Sequence, residues 1–192
     1  MCCAAGALPH TDALADPVSP TFLPPRAEST REHSKKDRHA RDRSPRLQTE
    51  LQTWYNVHTG EAVVLGESPG EDDSALVSRL LRDRTNWEEH VIAPTSVEAV
   101  RRAGLLFHAR RVEFISGYRS DKLNELLRKK GRHVAQHSQH VLGHALDFRL
   151  VGVDTRLLLR HMRATHDGGV GFYPQSGFVH VDSGARRRWS GE

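Results

Sequence analysis

Two short stretches of this chain alternate with a period of two while carrying ionisable side chains: Ala145-Leu146-Asp147-Phe148-Arg149-Leu150 and Phe178-Val179-His180-Val181-Asp182. Successive side chains of a strand point to opposite faces of its sheet. Leu146, Phe148 and Leu150 therefore share one face and Ala145 and Asp147 the other. The same parity separates Val179 and Val181, which face a core, from Phe178, His180 and Asp182. A chain holding both stretches has to build a sheet with one face in the core and polar groups converging on the other.

The remaining order is mixed. Leu51 to Val57, the turn His58-Thr59-Gly60 and Glu61 to Leu65 read as a hairpin, followed by a loop from Gly66 to Asp73. Asp72 or Asp73 can cap a helix with Val77, Leu80 and Leu81 inward. Thr95-Ser96-Val97-Glu98 after Pro94 fits a capping box for a helix carrying Val97, Val100, Ala103, Gly104 and Phe107. A strand follows with Val112, Phe114 and Ser116 on one side, then the turn Gly117-Tyr118-Arg119-Ser120 and a helix from Asp121 to Lys130 with Leu123, Leu126 and Leu127 inward. Asp154 caps a helix with Leu157, Leu158, His161 and Met162, stopped by Gly168-Gly169, and a hairpin from Val170 to Val181 ends the series. Strands and helices do not alternate regularly, so the expected class is α+β with a mainly antiparallel central sheet and flanking helices.

Residues 1–46 read differently. They hold six of the nine prolines and a Ser/Arg/Lys/His run from Ser29 to Ser44, a composition that does not repay the entropy of ordering. A disordered arm over 1–46 and one domain over 47–192 are expected. The net charge of +4 is spread evenly, with eight basic and six acidic residues up to Arg46 and 20 and 18 beyond it. No basic surface interleaved with aromatics is present, which argues against a nucleic-acid partner. Cys2 and Cys3 are the only cysteines, so the domain has no disulfide framework. No run of about 20 apolar residues offers a membrane span. The opening CCAAGAL and Ala13-Leu14-Ala15 lack the basic start and long apolar run of a clear export signal.

In Ser138 to Asp147, SQHVLGHALD, His140 precedes the strand and Asp147 lies on it, with Gly143 allowing a sharp bend between. With His180 this makes two imidazoles and one carboxylate on surfaces that can converge. Zinc accepts such a set and, in catalytic sites, keeps a fourth position for water that it makes nucleophilic near neutral pH, so hydrolysis is the inferred activity. Most of the 13 histidines are expected at the surface, among them His33, His39, His90, His108, His161 and His166.

The pattern Ser-x-His-x-x-Gly-x-Ala-x-Asp from Ser138 resembles that of the zinc D-Ala-D-Ala peptidases, the group containing VanX and the phage L-alanyl-D-glutamate endopeptidases. Its closer likeness is to the MepK-like murein endopeptidases, and it extends from about Thr53 to Trp189. NVHTGE at Asn56, SGYRS at Ser116, Asn124, GGVGFYP at Gly168, GFVHVDSG at Gly177 and an Arg-Trp ending carry it. The resemblance implies a Hedgehog/D-Ala-D-Ala-peptidase-like fold, zinc held by His140, Asp147 and His180, and a substrate among peptidoglycan stem peptides in the cell envelope or periplasm. It also implies that Arg119 pairs with a substrate carboxylate, with a surface or helix-capping role as the alternative. Ser138 would orient the ligand loop or the substrate unless it is a simple turn hydroxyl, and Tyr173 either lines the cleft or packs in the hairpin.

One position departs from the pattern. The VanX-like enzymes carry their general base three positions before the last histidine, where this chain has Gly177. Asp182 is then either the base or a carboxylate orienting a ligand histidine, with His137 and His144 as nearby alternatives. A monomeric zinc endopeptidase cutting D-Ala-meso-diaminopimelate or diaminopimelate-diaminopimelate cross-links is expected. A D,D- or L,D-carboxypeptidase and a zinc-bearing wall-binding module without turnover are the rivals.

Overall fold

A computed structural model of the protein describes residues 51–66, 71–131 and 134–192. The arm expected over 1–46, with His33, His39, Cys2 and Cys3, lies outside the described residues, as do positions 67–70 of the expected loop. The elements in chain order are β1 (Gln52–Asn56), β2 (Ala62–Leu65), α1 (Glu71–Leu80), α2 (Pro94–Leu106), β3 (Arg111–Ser116), α3 (Asp121–Lys129), β4 (Ala145–Leu150), α4 (Thr155–Thr165), β5 (Gly169–Tyr173), β6 (Phe178–Asp182) and β7 (Arg187–Ser190). Among the described residues, no helix is long and apolar enough to cross a membrane.

The α+β class holds, but the sheet is mixed. Its order is β2-β1-β3-β4-β6-β5-β7. The pairs β1–β2, β3–β4, β4–β6 and β5–β6 are antiparallel, whereas β1–β3 and β5–β7 are parallel. The two parallel pairs arise because the chain returns to the sheet in the same direction after α1 and α2, and again after β6. No period-two pattern marks β7, Arg187-Arg188-Trp189-Ser190, as a strand.

Alternation makes the core as expected. Val112, Phe114, Leu146, Phe148, Leu150, Val179 and Val181 pack with Trp54, Val100, Ala103, Leu158 and Met162 in one buried cluster. The rings of Trp54 and Phe114 meet at 4.9 Å and those of Phe114 and Phe148 at 6.5 Å. Leu126 and Leu157 are exposed, so their helices pack through Leu123 and Leu127 in α3, and through Leu158, Leu159 and Met162 in α4.

Three local expectations change. The helix α1 begins at Glu71, so Asp72 and Asp73 lie within its first turn. The capping box before α2 does not form: Ala93 is the N-cap and Pro94 opens the helix, so Thr95 lies inside it and Glu98 pairs with Arg101 and Arg102, while the buried Ser96 hydroxyl donates to the His144 carbonyl at 2.7 Å. In β3, Phe114 pairs with Phe148 but Ser116 pairs with Asp147, a bulge at Ile115. The extra residue reverses the parity, so Ser116 leaves the core side of Phe114 and joins the face of Asp147. The Asp154 cap is as expected, its carboxylate accepting from Arg156 and Leu157 N–H at 2.9 Å.

Asp83 ties the loop after α1 to the turn before α3. Its Oδ2 accepts from Ser120 N (2.7 Å) and Oγ (2.6 Å), and its Oδ1 from Thr85 N and Oγ1 (both 2.6 Å). Ser120 Oγ in turn caps α3 by accepting from Leu123 N–H. Burial raises the Asp83 pKa, but the hydrogen bonds from Ser120 and Thr85 outweigh it and the net shift is downward. A depressed folded-state pKa stabilises the fold above the ordinary carboxylate value of 3.8, and that contribution is lost as pH falls through the lower folded value. Asp83→Ala should cost roughly 2–4 kcal/mol in urea unfolding at pH 7, because it orphans buried donors, and the gap from the parent should narrow on acidification below that range.

Candidate metal centre

The sheet register assembles the site in two adjacent rows. Across β3, β4, β6, β5 and β7, the residues Ser116, Asp147, His180, Gly171 and Trp189 stand side by side. The next row is Ala145, Asp182, Gly169 and Arg187. Both rows lie on the face away from the valine and phenylalanine core, as the alternation requires. His140 comes from the loop before β4, whose bend uses Gly143 at φ +68°.

His140, Asp147 and His180 converge with one ligand atom from each. His140 Nε2 lies 3.3 Å from His180 Nδ1 and 3.3 Å from Asp147 Oδ2, and His180 Nδ1 lies 2.7 Å from Asp147 Oδ1. The other nitrogen of each ring is committed elsewhere. His140 Nδ1 donates to the Gly117 carbonyl at 2.7 Å, and His180 Nε2 donates to Asp182 Oδ2 at 2.9 Å. Neither acceptor has a proton to give, so hydrogens sit on those nitrogens, and His140 Nε2 and His180 Nδ1 are the ring atoms that face Asp147, where a metal would take the place of a proton. Two imidazole nitrogens and one carboxylate, all buried, form a donor set that fits zinc with a side left open.

That open side is a cleft of about 850 Å³. Arg119, Ser138, Tyr173 and Trp189 line it together with the three converging residues. Arg119 Nη2 donates to Asp147 Oδ2 and its Nε to Ser116 Oγ, both at 2.8 Å, so the bulge in β3 is what gives this arginine its second anchor. Ser138 is buried, and its Oγ accepts from His140 N–H at 3.3 Å, which steadies the His140 loop. Asn124 Nδ2 donates to the carbonyls of Ala135 and Gln136 and holds the segment leading into that loop. Tyr173 occupies both of its expected places: it lines the cleft while stacking on Phe178 at 4.5 Å and accepting from Trp189 Nε1 at 3.3 Å.

Charge in the site is strongly biased. Burial and the Arg119 guanidinium push His140 down to about 4, against the pull of Asp147. Burial by itself would raise Asp147, yet His140 and His180 hold it well below the usual carboxylate range. Burial likewise opposes a charged His180, but hydrogen bonds to Asp147 and Asp182 raise its pKa on balance. Asp182, also penalised by burial, is brought down to about 2 by His180, the Gly184 N–H and Arg187. The result is two ionised carboxylates flanking one imidazole, an environment that stabilises a cation among the donor atoms.

Asp182 does not line the cleft and its side chain is fully buried. Of the histidines named beside it, His137 is exposed and lines the cleft, while His144 lies outside the lining and its backbone accepts from Ser96 and Ser183. His90 and His108 are exposed as expected and His161 is half-buried, but His166 is buried: its Nε2 donates to the Asp182 carbonyl at 2.8 Å. Gly171 and Trp189 were absent from the expected site as well. Trp189 stands over Gly171 with its ring 5.1 Å from that of His180.

The chain matches a family model described as peptidoglycan L,D-endopeptidase MepK over residues 44–189. The chain belongs to that family. It is 35% identical over 142 residues to the peptidoglycan L,D-endopeptidase MepK of Escherichia coli K12, covering 71% of this chain and 78% of the relative. The probable peptidoglycan L,D-endopeptidase MepK of Haemophilus influenzae is 33% identical over 150 residues, with 72% and 78% covered. No solved structure matches the chain. The ordered motifs that suggested MepK-like enzymes therefore mark true membership.

A Cβ at residue 171 would lie 2.5–2.8 Å from the Trp189 indole. Gly171→Ala should displace that ring, cost about 1–3 kcal/mol through overpacking and red-shift the tryptophan emission, with thermal melts and fluorescence as the measurements.

Proposed function

We propose that this protein is a zinc-dependent murein endopeptidase that hydrolyses peptide cross-links of peptidoglycan. The observation carrying this reading is the convergence of His140 Nε2, Asp147 and His180 Nδ1 on the wall of an open cleft, in a member of the MepK family. His140, Asp147 and His180 are assigned as the metal ligands. Zinc, when bound, supplies a Lewis acid for the scissile carbonyl and acidifies water.

The chain's own residues then divide the remaining work. Arg119, fixed at Ser116 and Asp147, presents its guanidinium at the cleft and anchors a stem-peptide carboxylate. Ser138 fixes the His140 loop, and Tyr173 and Trp189 form an aromatic wall for the peptide. Asp182 is assigned as an orienting carboxylate for His180. Its oxygens are both occupied and it does not reach the cleft, which disfavours it as the group that takes a proton from water.

The name of the relatives, L,D-endopeptidase, favours one of the two bonds. A diaminopimelate-diaminopimelate cross-link joins an L-centre carbonyl to a D-centre amine, whereas D-Ala-diaminopimelate joins two D centres. We assign the first. Residues 47–192 form the catalytic domain, with the Hedgehog/D-Ala-D-Ala-peptidase-like fold that the family resemblance implies, and a monomer suffices because every ligand comes from one chain. The cell envelope is the place where such a substrate is met.

Incubation of purified muropeptide dimers with zinc-loaded protein should give monomers, and chelator should stop the reaction. Dimers that stay intact with folded, zinc-loaded protein would defeat the reading, and loss of a single terminal residue from monomers would point to a carboxypeptidase. His140→Ala and His180→Ala should each abolish stoichiometric zinc, measured by elemental analysis. Arg119→Ala, assayed at saturating zinc, should lower kcat/KM roughly 10- to 100-fold, the scale of one charge-assisted hydrogen bond of about 1.5–3 kcal/mol.

A further inference from the structure

Behind Asp182 lies an arginine to which no role has been given above. Arg187, the first residue of β7, forks onto the carboxylate of Asp182: Nη2 donates to Oδ2 at 2.7 Å and Nη1 to Oδ1 at 3.2 Å. Oδ1 also accepts from Gly184 N–H at 2.8 Å, and Oδ2 accepts from His180 Nε2. Among the described residues, Arg187 is the only cationic side chain other than His180 paired with this carboxylate.

The surroundings are shaped to hold that geometry. Residue 169 lies next to Asp182 in the sheet row, and a Cβ there would come within 2.3 Å of Asp182 Oδ2, so glycine makes the space the carboxylate occupies. His166 Nε2 pins the backbone of the same residue through its carbonyl. Arg188 fastens β7 by donating to the carbonyls of Gly168 and His166. The Arg187 guanidinium lies 5.0 Å over the Trp189 ring, the same ring that stands against His180.

We propose that Arg187 is a positioning residue of the metal centre, acting through Asp182 to decide which nitrogen of His180 faces the ligand cluster. A carboxylate held by a forked arginine on one side has a single direction left for accepting from an imidazole. It therefore takes the hydrogen of His180 Nε2 and leaves the Nδ1 lone pair to the metal. Without Arg187 the fork on Asp182 is lost, its carboxylate is free to rotate away from His180 Nε2, and His180 can turn or switch tautomer. Partners of this kind are worth about 10- to 100-fold in metal affinity.

The inference rests on the zinc reading, and metal binding separates the two without any substrate. Zinc affinity of the full chain is measured by competition with a chromophoric chelator, for the parent, Arg187→Ala, Arg187→Lys, Asp182→Asn and the Arg187→Ala/Asp182→Asn pair. Arg187→Ala should weaken zinc about tenfold, and Arg187→Lys, which keeps the charge but loses the fork, should fall between it and the parent. In the Asp182→Asn background the arginine substitution should have no further effect, since its route to the metal is gone. The visible absorption of the cobalt-substituted protein should change alike in Arg187→Ala and Asp182→Asn. Where the alanine variant fails to melt cooperatively, the lysine variant carries the comparison. A parent that binds no zinc overturns the metal reading together with this one. A parent that binds zinc while folded Arg187 variants bind it within twofold, or an arginine loss undiminished beside Asp182→Asn, overturns the role of Arg187 alone.

Discussion

Two carboxylates buried on the inner rows of a sheet, Asp147 and Asp182, are the constraint around which the polar face is built. A buried charge without partners costs several kcal/mol, about what a small domain has to spare in total. Each carboxylate here has a histidine and an arginine. Asp147 has His140, His180 and Arg119; Asp182 has His180 and Arg187. His180 is shared, one nitrogen to each, and that sharing joins the Asp147 row to the Asp182 row beside it.

The sheet supplies the precision that this arrangement needs. Antiparallel pairing of β4 with β6 sets Asp147 opposite His180 and Ala145 opposite Asp182, so the carboxylate and the imidazole face each other across strands held by backbone hydrogen bonds. The apolar face of the same two strands lies in the main core with Phe148, Val179 and Val181. A slip of one residue would bury the imidazole and carboxylates among valines and expose the valines, so core packing and site geometry enforce the same register. The small residues opposite the polar groups belong to this logic too. Gly169 leaves room for the Asp182 carboxylate and Gly171 for Trp189, which closes the cleft wall.

Much of the site was readable because it follows from short-range periodicity. The residues His140, Asp147 and His180 stood out through spacing and strand parity, and Asp154 was recognisable as a cap from its place before an apolar helical stripe. Where the reading departed from the molecule, competing features had overruled a local signal. Thr95 gave up its capping box because the helix already starts at Pro94, and the Glu98 carboxylate is taken by Arg101 and Arg102. Ser116 changed faces because of a bulge that pattern alone does not announce. His166 looked like one more surface histidine, yet a backbone carbonyl on β6 draws it inward.

The sequence by itself determined the strand alternation, the α+β class and the two residue types, histidine and aspartate, able to hold a metal, since each is read from short local patterns. Tertiary structure decided the mixed sheet, the parallel seat of β7 and hence the meeting of Arg187 with Asp182. It also decided which nitrogen of each histidine faces the cluster. Those outcomes depend on the acceptors that Gly117 and Asp182 bring from other segments, and an imidazole's useful face is set by whatever its second nitrogen is bonded to.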